Sequence, residues 1–174
     1  LPALRRLRFP GMERGPAGRA GGQCVYVRII TCPVLRTKRK MDPGRKTVLA
    51  AAARLKPKAV DLLREITSYA ELSLKETRTC AALSSFLEEE GFRVSRGVAG
   101  MDTAFRAEFS FGRGRPAVAF LCEMDALPGL GHACGHNIVG VASACAAAAL
   151  ARSGKGRFRS GKVVAFGTPA EETG

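Results

Sequence analysis

The only two histidines of this 174-residue chain stand four residues apart, on either side of a cysteine, in Gly131-His132-Ala133-Cys134-Gly135-His136-Asn137. Thiolate and imidazole are ordinary ligands of Zn²⁺ and similar divalent ions. Gly135 carries no Cβ, which lets the Cys134 and His136 side chains converge on one point. Two carboxylates precede this segment in Cys122-Glu123-Met124-Asp125, and an adjacent pair follows it in Gly167-Thr168-Pro169-Ala170-Glu171-Glu172. An adjacent pair is what hydrolysis at a metal requires. One carboxylate binds the ion while the other takes the proton of a water whose pKa the ion lowers to about 7.

Taken singly, each feature has a plainer reading. His132 or His136 alone reads as a satisfied structural histidine, and Glu171-Glu172 alone as a solvated pair. A Cys134–His136 thiol-hydrolase dyad is a further option, but residues two apart are poorly placed for in-line proton transfer. A structural zinc knuckle built from Cys122, His132, Cys134 and His136 is another, although the apolar segments around it already supply a core. The conjunction of all these groups favours metal-dependent hydrolysis.

Two buried strands must deliver that conjunction. Ala117–Cys122 is continuously apolar, as a central strand covered on both faces would be. Val163–Phe166 reads as a second strand of this kind. Between them Ile138–Ala151 is very rich in alanine, which predicts a helix able to approach a sheet closely and ending at Gly154. Strand, helix, strand is a βαβ unit, so the two strands should run parallel and present the polar segments at their carboxyl ends, where open α/β sheets bind ligands. Phe105, Ala107, Phe109 and Phe111 alternate with polar residues as in a half-buried strand, and Gly112–Pro116 turns the chain.

Upstream, Ala59, Leu62, Leu63 and Ile66 recur at helical spacing, with Pro57 suited to the first turn. Ser73-Leu74-Lys75-Glu76 has the form of a capping box. The helix it opens carries Cys80, Leu83 and Leu87 on one stripe and stops at Gly91. Glu88-Glu89-Glu90 reads as a solvated helix end. The expected fold is α/β, part of a mixed, largely parallel sheet flanked by helices.

The formal charge of +13 is unevenly spread. Residues 1–40 carry +9 of it, in a segment broken by Pro2, Pro10, Gly11, Gly15, Pro16, Gly18, Gly21 and Gly22. This segment is expected to be a basic irregular extension, disordered or not part of the mature protein. A transit peptide fits less well, because the glycines and prolines oppose an amphipathic helix. No zinc-finger, homeodomain or RNA-binding pattern accompanies the charge, so no nucleic-acid partner is expected. No apolar run has a membrane-spanning length. The six cysteines, at 24, 32, 80, 122, 134 and 145, form no regular framework, and Cys80, Cys122 and Cys145 read as small buried hydrophobes. A reduced intracellular protein is expected: cytoplasmic, the nucleoplasm also open, mitochondria less favoured.

Cys122–Asn137 and Gly167–Glu172, taken together, resemble the amidohydrolase branch of the aminoacylase/carboxypeptidase zinc metallopeptidases. The resemblance extends over about residues 57–174, including Thr103-Ala104-Phe105-Arg106-Ala107-Glu108. It implies that Cys134, His136 and Glu172 are metal ligands, that Glu171 is the general base, and that Asp125 orients a ligand. Glu123 stands where many relatives have a ligand histidine, and His132 forms part of the motif without being a ligand. Two Zn²⁺ ions, or Mn²⁺, are the implied cofactors. The implied reaction is hydrolysis of an amide in small dipeptides with a basic carboxy-terminal residue, such as β-alanyl-lysine. The implied alternatives are N-acyl amino acids and p-aminobenzoyl-glutamate. A non-catalytic binding or regulatory fragment is the reading from another class. Family members take further histidine ligands and a lid or dimerisation domain from sequence beyond the Glu-Glu pair. Residues 41–174 are therefore expected to be the amino-terminal part of a catalytic domain, inactive alone and homodimeric in its full-length form.

Overall fold

The computed structural model describes residues 42–173. The basic segment 1–40 lies outside the described residues. Helix α1 spans Pro43–Tyr69, and the Asp42 carboxylate caps it by accepting the Arg45 N–H at 3.1 Å. Pro43 therefore occupies the first turn, where its missing N–H costs nothing. Pro57, expected at a helix start, lies instead inside this helix. The buried stripe of Ala51, Leu55, Leu62 and Ile66 runs straight past it, and packing along that stripe outweighs the local cost of an interior proline.

Helix α2, Thr77–Glu89, buries Cys80, Leu83 and Leu87, in keeping with the apolar stripe, and Gly91 follows at φ +87°. The expected capping box is absent. Glu76, at the N-cap, makes no side-chain capping bond. Glu71 does that work, accepting the N–H groups of Arg78 at 2.9 Å and Thr79 at 2.8 Å. The acidic end of α2 also departs from a solvated run. Glu90 is 5% exposed and paired through both oxygens with Arg152, while Glu88 pairs with Arg96.

Among the described residues four strands make one sheet: β1 Arg93–Arg96, β2 Phe105–Phe111, β3 Ala117–Glu123 and β4 Gly161–Thr168, in the order β1-β2-β4-β3. Helix α3, His136–Gly154, connects β3 to β4, and these two strands pair in parallel. The sheet is mixed, as expected, but its parallel part is confined to that pair. β1 with β2 and β2 with β4 are antiparallel. Only the β3–α3–β4 crossover is long enough to bring two strands back in the same direction.

Phe105, Ala107, Phe111, Cys122, Val163 and Ala165 form one core with the buried faces of the three helices. Cys80 and Cys122 are buried, as small hydrophobes should be, and Cys145 is half-buried. β4, central in the sheet, is the strand covered throughout. β3 reads as central from its sequence, yet among the described residues it is an edge, with Val118 47% and Leu121 45% exposed. A run of apolar residues gives a strand's hydrophobicity but not its place in the order. Glu108 of β2 lies buried beneath Arg106 of the same strand, Lys162 of β4 and Arg93 of β1.

Small side chains on α3 do allow close approach. A Cβ on Gly140 would lie 2.6 Å from the backbone oxygen of Glu123, so the helix rests directly on the end of β3. That contact fixes the first turn of α3, and with it His136, against the carboxyl edge of the sheet. Among the described residues no helix is long and apolar enough to cross a membrane.

Candidate metal centre

The carboxyl ends of β3 and β4 deliver the predicted residues to one place. Cys134 Sγ, a ring nitrogen of His136 and a carboxylate oxygen of Glu172 all lie within 4.8 Å of one another. His136 Nε2 stands 3.5 Å from Glu123 Oε2, 3.5 Å from Glu171 Oε2 and 3.7 Å from Glu172 Oε1. Glu171 is the more open of the adjacent pair, its side chain 53% exposed against 20% for Glu172. His132 stays out of the group, and burial pushes its imidazole pKa down.

His136 begins α3 and is buried. Its Nδ1 meets two acceptors, the Asp125 backbone oxygen at 3.1 Å and Asp125 Oδ1 at 3.0 Å. Neither can donate, so Nδ1 carries a proton, and Nε2 faces the carboxylates. Asp125 is 1% exposed, and its other oxygen accepts from Ser73 Oγ at 2.7 Å and from the Glu172 N–H at 3.1 Å. Burial pushes the Asp125 carboxyl up. The bonds from Ser73, the Glu172 amide, its own amide and His136 outweigh that and hold it below its ordinary 3.8.

Gly135 is needed for a reason other than space. A Cβ there would meet nothing within 4 Å, but its φ is +92°, a left-handed value that sharply turns the chain between Cys134 and α3. The convergence of Cys134 and His136 follows from that turn.

The donor set suits a divalent cation. A thiol, an imidazole and the carboxylates of Glu123, Glu171 and Glu172 gather here, and among the described residues no Lys or Arg pairs with them. Glu172 Oε1 is shielded from solvent and has no hydrogen-bond partner, an expensive state for a carboxylate oxygen. Interaction with the Glu172 carboxylate raises the Cys134 thiol above its ordinary 9.0, and the charges of Glu171 and Glu123 add to it. A cation would relieve both.

Ser73, Glu76 and Thr103 join this site without any sequence pattern pointing to them as members. The loop before α2 runs beside Ala126, whose N–H donates to the Glu71 oxygen at 2.8 Å, and this brings Ser73 to Asp125. The Ser-x-x-Glu spacing is visible in the sequence, but its local meaning as a helix start conceals its distant partners.

Donors from two strand ends and a helix start are thus gathered at the carboxyl edge of a βαβ unit. In sequence the chain resembles the amidohydrolase branch of the aminoacylase/carboxypeptidase metallopeptidases. It is 45% identical over 124 residues to the Xaa-Arg dipeptidase of Mus musculus, a match covering 65% of this chain and 28% of that protein. It is 36% identical over 131 residues to one of the p-aminobenzoyl-glutamate hydrolase subunits of Escherichia coli (strain K12), covering 66% of this chain and 27% of that one. The chain thus spans less than a third of the length of these curated relatives. Among solved structures it is similar to a dinuclear metal-binding peptidase of the M20 family from Bacillus subtilis. The TM-score is 0.56 at 26% identity, over 71% of this chain and 36% of that one. No family model matches the chain.

Proposed function

We propose that this chain carries the amino-terminal half of the active site of a metal-dependent amidohydrolase acting on dipeptides. The observation that carries the reading is the approach of Cys134, His136 and Glu172 to within 4.8 Å, with Glu171 beside them. Cys134, His136 and Glu172 would hold a divalent ion, with Glu123 as a neighbouring carboxylate. Bound there, the ion supplies Lewis-acid polarisation of the scissile carbonyl and makes water more acidic.

The chain's own groups do the rest. Asp125 keeps the Nδ1 proton of His136 in place and so leaves Nε2 free to bind. Glu171 takes the proton of the attacking water and returns it to the leaving amine, a role its exposure allows. Zn²⁺ or Mn²⁺, two ions per site, is the proposed complement, in line with the dinuclear neighbour. Similarity to the Xaa-Arg dipeptidase supports a dipeptide substrate with a basic carboxy-terminal residue, and β-alanyl-lysine is the form we propose. Similarity to the p-aminobenzoyl-glutamate hydrolase supports N-acyl amino acids as the second reading. Residues 1–40 form a basic extension in this view, and residues 41–174 part of a catalytic domain. The longer enzyme would be a cytoplasmic homodimer. Alone, residues 1–174 would turn nothing over.

Metal analysis of the chain with Glu171→Gln and Cys134→Ser tests this. Glu171→Gln should keep its metal, and Cys134→Ser should lose it. Equal metal content in wild type and Cys134→Ser would refute the ligand assignment. Hydrolysis of β-alanyl-lysine by purified 1–174 would refute the inactivity.

A further inference from the structure

Glu76 is fully buried immediately ahead of α2, yet the helix makes no use of its side chain. Its two oxygens reach other parts of the fold. Oε2 accepts from Thr103 Oγ1 at 3.0 Å, itself buried, and Oε1 accepts the backbone N–H of Ala170 at 2.8 Å. Ala170 precedes Glu171 and has φ +61°, a left-handed conformation that alanine keeps only where its surroundings enforce it. The short 3₁₀ turn Glu171–Thr173 follows directly. The second tie on this turn comes from Asp125, which accepts the Glu172 N–H. Two buried carboxylates therefore grip the backbone on either side of Glu171.

We propose that Glu76 is a positioning residue. Its carboxylate holds Ala170 in the left-handed conformation that aims Glu171 and Glu172 at His136. Glu71 already caps α2, so helix stability alone does not explain a buried acid at this position. The inference rests on reading Glu172 as a ligand and Glu171 as the base, and it adds the group that sets their direction.

The test uses the full chain with Glu76→Gln, Glu76→Ala and Glu76→Asp, following amide exchange by NMR and Co²⁺ binding by visible absorbance. Glutamine keeps an oxygen for the Ala170 amide and an amino group for Thr103, so protection of Ala170 and Co²⁺ affinity should persist. Alanine should expose the Ala170 amide, and Co²⁺ affinity should fall about 10- to 100-fold. Aspartate keeps the charge but withdraws the acceptor by one methylene, and should behave like alanine in a chain that still folds. Amides of α1 and β2 should keep their protection throughout. The proposal falls if Ala170 stays protected in the alanine and aspartate variants. It falls equally if protection is lost throughout α2, or if glutamine fails as badly as alanine. Absence of Co²⁺ binding in the wild type, with the exchange pattern intact, would overturn the metal reading and leave the positioning role standing. Co²⁺ binding that depends on Cys134 but not on Glu76 would do the reverse.

Discussion

Asp125→Asn is the substitution that asks most of this site. Three donors from other residues face the carboxylate: His136 Nδ1–H at Oδ1, and Ser73 Oγ–H and the Glu172 N–H at Oδ2. An asparagine has a single acceptor oxygen. If that oxygen serves Ser73 and Glu172, the amino group confronts the His136 Nδ1 proton. If it serves His136, the amino group confronts the fixed Glu172 N–H. Either arrangement disturbs one proposed ligand while leaving volume and fold intact. One buried donor left without an acceptor should cost about 1–3 kcal/mol of stability. Loss of the orienting bond should weaken metal binding about 10- to 100-fold, or about 1.4–2.7 kcal/mol. The assay is a Zn²⁺ titration against a chromophoric chelator, with urea unfolding of the same samples. Unchanged metal affinity in a variant that unfolds at lower urea would refute the argument, because the cost would then have fallen on packing alone.

Two further outcomes follow from the packing and the charges. Gly140→Ala places a methyl group against the Glu123 backbone oxygen and should destabilise the chain by about 1–3 kcal/mol; a urea midpoint equal to wild type would show that α3 can shift freely on β3. Burial pushes the Glu108 carboxyl up, but Lys162, Arg106 and Arg93 outweigh this and hold it below its ordinary 4.5. Its contribution to stability is thus complete above pH 4.5 and is lost as pH falls through the lower folded value. Glu108→Gln should flatten the pH dependence of unfolding in that acid window, and parallel curves for the two proteins would count against the pairing.

The βαβ unit and the meeting of Cys134, His136 and Glu172 were legible because both are written in short stretches. Apolar runs at 117–122 and 163–166, an alanine-rich helix between them, and chirality leave little choice about where residues 123–137 and 168–172 must meet. Other features depend on partners that no local pattern announces. Glu90 reads as solvent-facing until Arg152, 62 residues away, is seen beside it. Ser73 and Glu76 obey the grammar of a helix start and yet are used elsewhere, because Glu71 caps the helix from a position that grammar does not inspect. Pro57 misleads in the opposite sense. A residue that ends isolated helices survives within one whose stripe is firmly packed. The exposure of β3 belongs to strand order, which hydrophobicity alone does not encode.

The bonds that complete the site also span long stretches of chain. Ser73 reaches Asp125 across 52 residues, Glu172 reaches Asp125 across 47, and Ala170 reaches Glu76 across 94. Closing loops of that length is entropically late work in folding, whereas α1, α2 and α3 form from neighbours in sequence. The donor group is therefore expected to assemble late in the folding reaction. An ion with no affinity for the unfolded chain would, at a hundred times its dissociation constant, add about 2.7 kcal/mol to stability. Contacts that close such long loops are expected to form after the transition state, so the gain should fall on the unfolding rate rather than the folding rate. Metal would act on this chain chiefly as a brake on its escape from the native state.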